Sequence, residues 1–169
     1  MTSPSTIVRP ETEEDQTAIH ALHATAFETS AEAGLVDLLR TAGALSLSLI
    51  AEQDGALVGH VAVSPVTIND SDEAQWYGLG PISVHPKHQG EGIGTALMLK
   101  ALKETATIGG QGMVLLGKPA FYTRFGFQPS TELGLPWEKD VGPYFQAVKL
   151  GAADIPSGVV KYHAAFDAV

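Results

Sequence analysis

The sequence predicts a mixed α/β fold, in which one central mixed sheet carries helices on both faces. Three observations support this prediction: a hairpin pattern around Asp54 and Gly55, a glycine-rich turn into a helix at Gly92, and a short apolar run at residues 113–116 after that helix. A tight hairpin makes an antiparallel pair. A strand that leads through a helix into another strand implies a parallel pair with a right-handed crossover.

The first two elements are expected to be helices. Thr12 to Asp15 read as a capping box, and apolar residues then recur at helical spacing. A second, short helix follows the polar turn at residues 28–30 and ends near Gly43. The apolar positions of the two helices are Ile19, Leu22, Ala26 and Phe27, then Leu35, Val36, Leu38 and Leu39.

Strands follow these helices. LSLSLIAE, at residues 45–52, alternates strictly, and LVGHVAVSPVTI, at residues 57–68, is the returning strand of a hairpin. A third strand is expected over residues 74–85, where Gly78, Gly80 and Pro81 interrupt the run. Proline has no N–H to donate to a β-ladder, and glycine has no side chain to pack. This strand is therefore expected to contain a bulge or to splay from a neighbour.

The second half of the chain predicts the remaining elements of a single domain, residues 1–169. Glycines 109 and 110 end the helix that starts at residue 92. The later elements are a buried strand at 113–116, a short helix at 120–125, an irregular loop at 128–143, and closing strands at 144–150 and 158–163.

Composition excludes several classes of function. Nineteen Asp and Glu against ten Lys and Arg give a formal charge of −9, which disfavours nucleic acid as a partner. Cysteine is absent, so disulfides, thiolate metal sites and a cysteine nucleophile are excluded. No segment approaches the roughly 20 apolar residues that span a bilayer, and residues 1–15 lack a signal-peptide pattern. We therefore expect a cytoplasmic protein with no membrane partner.

HPKHQGEGIGTALM, residues 85–98, places three glycines within five positions at the start of a helix. The first amides of a helix have no internal partner and the helix dipole adds positive charge there, so this turn suits a phosphate. The mononucleotide P-loop pattern is absent. The dinucleotide pattern fits poorly, because Thr95 occupies its sixth position and Gly117 and Lys118 follow the next strand in place of an acid. The pattern Gln/Arg-x-x-Gly-x-Gly/Ala fits residues 89–94.

The stretch resembles the acetyl-coenzyme A pyrophosphate loop of the GNAT N-acetyltransferases. FYTRFGF, at residues 121–127, lies where that superfamily usually has a Tyr-x-x-x-Gly-Phe segment. The likeness to its YhbS-like branch of predicted acetyltransferases covers nearly the whole chain, in AFETSAEAGLVDLLR, GHVAVSPV, GLGPISVHP, LLGKPAFYTRFGF and VKYHAAFD. The resemblance implies the GNAT fold: a twisted, mostly antiparallel mixed sheet of about six to seven strands with helices on both faces, whose strands 4 and 5 are parallel and splayed.

The resemblance also implies acetyl-CoA as cosubstrate, with no metal. Backbone near Ile82, Ser83 and Val84 would bond the pantetheine arm, the Val84 amide would stabilise the oxyanion, and Tyr122 would protonate the departing sulfur. Without the loop, Tyr122 would be interpreted as a packing aromatic. The residues expected to surround the pyrophosphate are Gln89, Gly90, Glu91, Gly92, Ile93, Gly94 and Thr95, with the Glu91 charge pointing outward.

Arg124 and Lys118 either contact the nucleotide end of coenzyme A or face solvent. Many acetyltransferases carry asparagine just after the fifth strand, and this chain has Gly117, Lys118 and Pro119 there. The sequence therefore has no asparagine for the contact that this residue makes in the superfamily.

Three histidines are candidates for the general base. His60 lies in the hairpin strand, where a lone histidine is more often a hydrogen-bonded core residue. His85 and His163 are equally compatible with surface or packing roles, and water-mediated deprotonation needs none of them.

Two acids, Glu28 and Glu32, are the candidate acceptor-binding residues, since the loop and helix that carry them usually border the acceptor site in this superfamily. They are also compatible with solvated helix-start acids. His20 and His23 lie three apart on a helix without an obvious acidic partner, so exposed imidazoles rather than a metal site are expected.

We therefore expect an acetyl-CoA-dependent N-acetyltransferase that transfers the acetyl group directly to a primary amine, as a monomer or homodimer. Two alternatives remain open: a non-catalytic acyl-CoA-binding or sensor domain of the same fold, and a structural domain whose glycines only permit tight packing.

Overall fold

The computed structural model describes residues 5–27 and 29–168. Seven strands form one sheet in the order β1-β2-β3-β5-β6-β8-β7, and β4 and β9 form a separate two-stranded ribbon. The strands are β1 Thr6–Pro10, β2 Leu47–Gln53, β3 Ala56–Pro65, β4 Thr67–Ile68, β5 Trp76–Val84, β6 Gly112–Leu116, β7 Gln128–Pro129, β8 Phe145–Lys149 and β9 Val160–Lys161. The helices are α1 Gln16–Ala26, α2 Ala31–Thr41, α3 Ile93–Thr107 and α4 Pro119–Tyr122.

Helices cover both faces of the main sheet, as predicted. Alternation along β2 turns Leu49 toward one face and Ile50 toward the other. Leu49 belongs to the core that contains Leu97 of α3, whereas Ile50 packs with Ile19 of α1 and Val36 of α2. The sheet thus separates α3 from the α1–α2 pair.

The hairpin of β2 and β3 forms as the sequence predicts. Asp54 and Gly55 both have positive φ, 49° and 80°, which is the conformation that a two-residue hairpin turn of type I′ requires. Further along β3, a β-carbon on Gly59 would lie 3.0 Å from methyl groups of Ile93 and Leu97. Glycine therefore lets the first turns of α3 pack directly on the sheet.

The parallel pair of the sheet is short. Only Trp76–Gly78 of β5 pairs with Gly112–Val114 of β6, while β5 runs on to Val84. The other pairings of the main sheet are antiparallel. β5 and β6 are therefore the parallel strands that the resemblance numbers 4 and 5, and they part after three residues.

The interruption in β5 lies where the strands part. Gly80 has φ of 143°, a region that favours glycine, and Pro81 has no N–H to donate. The register between β3 and β5 also shifts between Val61 and Val63. The irregularity predicted from the sequence is thus confirmed.

Five expectations about secondary structure were wrong. The single strand expected at residues 57–68 is divided into β3 and β4, which belong to different sheets, and the irregular loop expected at 128–143 begins with β7. Thr6–Pro10 forms an edge strand that the sequence analysis did not anticipate. The strand expected at residues 45–52 starts only at Leu47. Of residues 158–163, only Val160–Lys161 is a strand, and it pairs with β4 outside the main sheet. None of the helices in the described residues is long and apolar enough to cross a membrane.

Candidate active site

The turn into α3 carries a row of free backbone donors. Gly90 and Gly92 have φ of 80° and 82°, which glycine adopts without strain. The first bond of the helix runs from the Ala96 N–H to the Gly92 carbonyl, at 3.1 Å. Within the described ranges, no acceptor bonds the amides of residues 89–95. These donors stand at the positive end of a 15-residue helix, an arrangement that suits an anion.

Side chains around this turn leave its inner side open. Glu91 does not line the cleft beside this turn, and its carboxylate lies 3.4 Å both from the His88 ring and from the Gln53 amide. Arg124 donates to the Thr95 hydroxyl at 3.3 Å and lies over the Phe121 ring, 4.7 Å from its centre. The Arg124 guanidinium is therefore held beside the turn, whereas the Glu91 side chain is not part of the cleft wall.

A cleft of about 500 Å³ connects the turn with the parting strands. It contains all but one of the residues expected to bind the cofactor; the exception is Glu91, which is not part of its wall. The expected residues that line it are Ile82, Ser83, Val84, Gln89, Gly90, Gly92, Ile93, Gly94, Thr95, Tyr122 and Arg124. The structure thus brings two separate sequence segments, and α4 with them, to one cavity.

Backbone amides of β5 face this cleft. Val84 pairs with Gly59, and the next N–H along, that of His85, donates to the Val58 carbonyl at 2.8 Å. In an antiparallel ladder this pattern makes Val84 a non-hydrogen-bonded position, whose own N–H points away from β3. The same alternation applies to Ile82. Both amides therefore point toward the gap that β6 leaves.

Tyr122 stands in the wall between two cavities. Its side chain is buried and packs edge-on against Phe121 and Phe127. Burial raises the pKa of the Tyr122 phenol, so the hydroxyl keeps its proton at neutral pH. Tyr122 lines both cavities, which makes its protonated hydroxyl a candidate proton donor to a bound group.

The second cavity, of about 480 Å³, lies on the other side of the parting strands. It shares Phe27, Ile82 and Tyr122 with the cleft, so the two cavities meet there. Glu32 lines this second cavity, which we call the acceptor chamber, and accepts a hydrogen bond from the Thr29 hydroxyl at 3.3 Å. Glu28, the other acid expected to bind the acceptor, lies outside the described residues.

His60 belongs to a buried chain of hydrogen bonds and does not line the cleft. Its Nδ1 lies 2.8 Å from His23 Nε2, and its Nε2 lies 2.7 Å from the Ser48 hydroxyl. His23 Nδ1 in turn lies 2.9 Å from the hydroxyl of Ser83, a cleft residue. Both histidines are fully buried. The structure therefore places His60 in the hydrogen-bonded core, and it reaches the cleft only through His23 and Ser83.

Burial lowers the pKa of both imidazoles. The pKa of His23 falls to about 4, chiefly through desolvation, and that of His60 falls well below its usual value for the same reason. Both rings are therefore neutral at pH 7.

The other histidines have local roles. His85 Nδ1 accepts the Lys87 amide at 3.1 Å, and His163 Nδ1 accepts the Ala165 amide at 3.0 Å, so each closes a turn. His20 is exposed but does have an acidic partner, Asp37, at 2.7 Å. The expectation that His23 is an exposed imidazole was wrong. Within the described ranges, no three His, Asp or Glu side chains are close enough to share a metal ion.

Sequence analysis missed the distant walls of the acceptor chamber and the partners of His60. The chamber takes Trp137 from the irregular loop, and Tyr162 and Phe166 from VKYHAAFD, a segment that carried the resemblance but to which no role was assigned. His23 had a usable signal, because it lies four positions after Ile19 and so on the buried stripe of α1.

Residues 45–129 match the family described as the acetyltransferase (GNAT) domain, and the chain belongs to this family. The family and the acyltransferase class expected from the glycine loop are thus confirmed. The chain is 37% identical over 166 residues to a protein named as an uncharacterized N-acetyltransferase, YhbS, of Escherichia coli strain K12, and the match covers 95% of this chain and 98% of that protein.

Two crystal structures are similar over almost the whole chain. One is YhbS from Escherichia coli in complex with CoA, with a TM-score of 0.92, 35% identity, and coverage of 99% of this chain and 94% of that one. The other is a GNAT family acetyltransferase from Brucella melitensis in complex with acetyl-CoA, with a TM-score of 0.82, 40% identity, and coverage of 98% and 100%. The mixed sheet with its one parallel pair is therefore the GNAT fold.

The buried histidine pair predicts acid sensitivity. Because the pKa of His23 is about 4 in the folded chain and 6.5 for an unperturbed imidazole, the unfolded state binds more protons between those values. The free energy of unfolding should fall by about 3 kcal/mol as pH drops from 7 to 4, with His60 adding to the loss. Urea denaturation at a series of pH values measures it.

Two variants separate this effect from general acid denaturation. Replacing both buried rings, in His23→Leu/His60→Met, should flatten the dependence between pH 6.5 and pH 4. His163→Gln, which removes an imidazole that is not among the groups shifting the pKa of His23 or His60, is the control and should leave the fall as in the parent. An unchanged slope in the double variant would contradict the assignment.

Proposed function

We propose that this chain is an N-acetyltransferase of a single domain, residues 1–169, which transfers an acetyl group from acetyl-CoA directly to a primary amine. The observation that carries the proposal is the row of unbonded amides at residues 89–95, which opens onto a cleft between two parted strands. Relatives crystallised with CoA and acetyl-CoA support the choice of ligand.

The pyrophosphate of acetyl-CoA would be held by the amides of residues 89–95. Each hydrogen bond from such a donor to a charged oxygen contributes about 1.5 to 3 kcal/mol. Arg124, fixed beside Thr95, adds positive charge at the same place. The pantetheine arm would then run along β5, where the amides of Ile82 and Val84 are free to bond it.

The reaction needs an oxyanion donor and an acid. As the amine nitrogen bonds to the thioester carbon, the carbonyl oxygen gains charge that the Val84 amide is placed to stabilise. When the carbon–sulfur bond breaks, the sulfur leaves with its electron pair and takes the proton of the Tyr122 hydroxyl. The phenolate left on Tyr122 takes a proton from water when the products leave, which balances the proton that the amine releases to solvent. Products are the amide and coenzyme A as a free thiol.

The amine must also lose a proton, and the chain from Ser83 to Ser48 is a route for it. A proton delivered to the Ser83 hydroxyl can be matched by transfers along His23 and His60 that release another at Ser48, with one O–H or N–H bond formed for each one broken. Ser48 borders a separate surface groove together with Glu11 and Glu104. In this proposal His60 relays a proton and does not touch the substrate.

Binding of the cofactor is tested by Thr95→Glu. A carboxylate in the first turn of α3 suits the helix dipole and faces Arg124, so the melting temperature should stay level or rise. The same charge repels the pyrophosphate, so the Kd for acetyl-CoA should rise by about tenfold or more. Calorimetric titration and thermal denaturation measure the two effects.

Leu99→Glu is the matched control, since it adds the same charge at an exposed position of the same helix. It should leave acetyl-CoA affinity unchanged. If acetyl-CoA does not stabilise the parent chain at all, the proposed function fails, because a ligand that prefers the folded state must stabilise it.

Catalysis is tested by Tyr122→Phe, with thiol release from acetyl-CoA and a panel of amines as the assay. Loss of the acid should lower kcat by about 10²- to 10⁴-fold and leave the Kd for acetyl-CoA unchanged. Tyr144→Phe, at an exposed ring that lines neither cavity, is the control. Full turnover by Tyr122→Phe would remove the acid assignment, and binding without turnover of any amine by the parent would favour an acyl-CoA sensor.

The proton route is tested by His60→Gln and, at its far end, Ser48→Ala. If the chain carries the proton, kcat should fall near neutral pH by about tenfold and recover as pH approaches the pKa of the amine. Thr25→Ala, at an exposed position of α1 outside the hydrogen-bonded chain, should keep the parent profile. A merely structural defect would lower kcat equally at all pH values, which would contradict the relay.

A further inference from the structure

The acceptor chamber has aromatic walls. Five rings line it, on elements that are far apart in the sequence: Phe27, Tyr122, Trp137, Tyr162 and Phe166. The centres of the Tyr162 and Phe166 rings are 4.8 Å apart, and those of Trp137 and Tyr162 are 5.9 Å apart with the planes perpendicular. Such contacts hold the rings in fixed positions. The chamber is therefore built to enclose an apolar group.

The charges at this chamber are mainly negative. Glu32, Glu138 and Asp167 line it, against one cation, Lys139. The chain as a whole has a charge of −9. A field of this sign attracts a cationic amine and repels an acceptor that carries a carboxylate or a phosphate.

Lys139 lies against the Trp137 ring in the wall of the chamber. Its Nζ lies over the Trp137 ring, 5.2 Å from the ring centre. This is a cation–π contact, in which the negative face of the ring attracts the charge. The Trp137 ring can therefore attract an ammonium group, as it does that of Lys139.

The size of the chamber limits the acceptor. A volume of about 480 Å³ fits a small molecule or one residue of a peptide. The three acids and Lys139 give the chamber a net formal charge of about −2. A linear polyamine or an aminoglycoside carries three or more ammonium groups, and burying the excess charge against aromatic walls is costly.

Resting on the proposed function, we propose that the acceptor is a primary amine carrying one aromatic group and no carboxylate, bound in the chamber with its nitrogen toward Tyr122. The ring of the acceptor packs among the aromatic walls, and the acids attract its ammonium form. The chamber meets the cofactor cleft at Phe27, Ile82 and Tyr122, so an amine seated there reaches the thioester through that opening.

Matched amines test the class. With acetyl-CoA saturating, thiol release is measured for 2-phenylethylamine and tryptamine, for phenylalanine and tryptophan, and for spermidine and kanamycin. The two arylalkylamines should have kcat/KM values higher than those of their amino acids by about tenfold or more, because only the carboxylate differs. Phenylalaninamide, which lacks the free carboxylate, distinguishes a peptide N-terminus from a free amine as the source.

Variants test the chamber itself. Phe166→Leu and Glu32→Gln should each raise KM for 2-phenylethylamine by about fivefold or more and leave KM for acetyl-CoA unchanged. Lys139→Gln should lower KM for 2-phenylethylamine by about threefold, because it frees the Trp137 face and removes the opposing charge. Tyr144→Leu and Glu14→Gln, which change an exposed aromatic and an exposed acid outside the chamber, are the controls and should leave both KM values unchanged.

The outcomes separate this inference from the proposed function. Higher kcat/KM for spermidine, kanamycin or the free amino acids would overturn the acceptor class and leave acetyl transfer intact. If no amine is turned over, binding of 2-phenylethylamine to the CoA-saturated chain is measured by calorimetry, and no binding would overturn the class. Failure of acetyl-CoA itself to bind would instead end the proposed function.

Discussion

The parting of β5 from β6 is the constraint on which the rest of the site depends. The strands pair over three residues and then separate, while β5 continues to Val84. At the paired end, a β-carbon on Gly112 would overlap the Trp76 indole, so glycine is needed for that ring to lie against β6. Because β5 is held by β3 on one side only, the amides of Ile82 and Val84 are left without a strand to bond, and both cavities open along the gap.

The buried histidine chain provides a hydrogen-bond partner for each polar ring atom of His23 and His60, which the apolar core could not do. All four ring nitrogens of His23 and His60 have a partner within 2.9 Å. Two neutral imidazoles supply two N–H donors and two acceptor nitrogens. Exchanging the tautomer of both rings reverses the direction of every hydrogen bond in the chain. A polar row that is fully paired costs little to bury, whereas a charge placed on it costs much. The row therefore stays neutral and fully hydrogen-bonded in the folded chain.

Local patterns predicted the parts of the site that lie within one segment. The hairpin, the glycine turn, α3 and the parallel crossover each have a period or a turn residue that can be seen within about twenty positions. β1 has no such signal, because an edge strand of five residues with Ile7 55% exposed shows no alternation. The acceptor chamber could not be predicted, since its walls come from α2, β5, the loop after β7 and the C-terminal turn. Only the packing of these elements brings them together.

Gly117 and the Tyr122 ring fit together only because position 117 has no side chain. A β-carbon at Gly117 would overlap the Tyr122 ring, so a side chain at position 117 and the observed ring cannot both be present. The carbonyl of Gly117 is fixed by the Gln146 amide at 2.9 Å, and its N–H by the Tyr144 carbonyl at 3.0 Å. The Tyr122 ring thus packs directly against the backbone of Gly117, which these two hydrogen bonds hold in place. Tyr122 lines both cavities, so the absence of a side chain at position 117 is a condition for the observed position of its ring at the wall that they share.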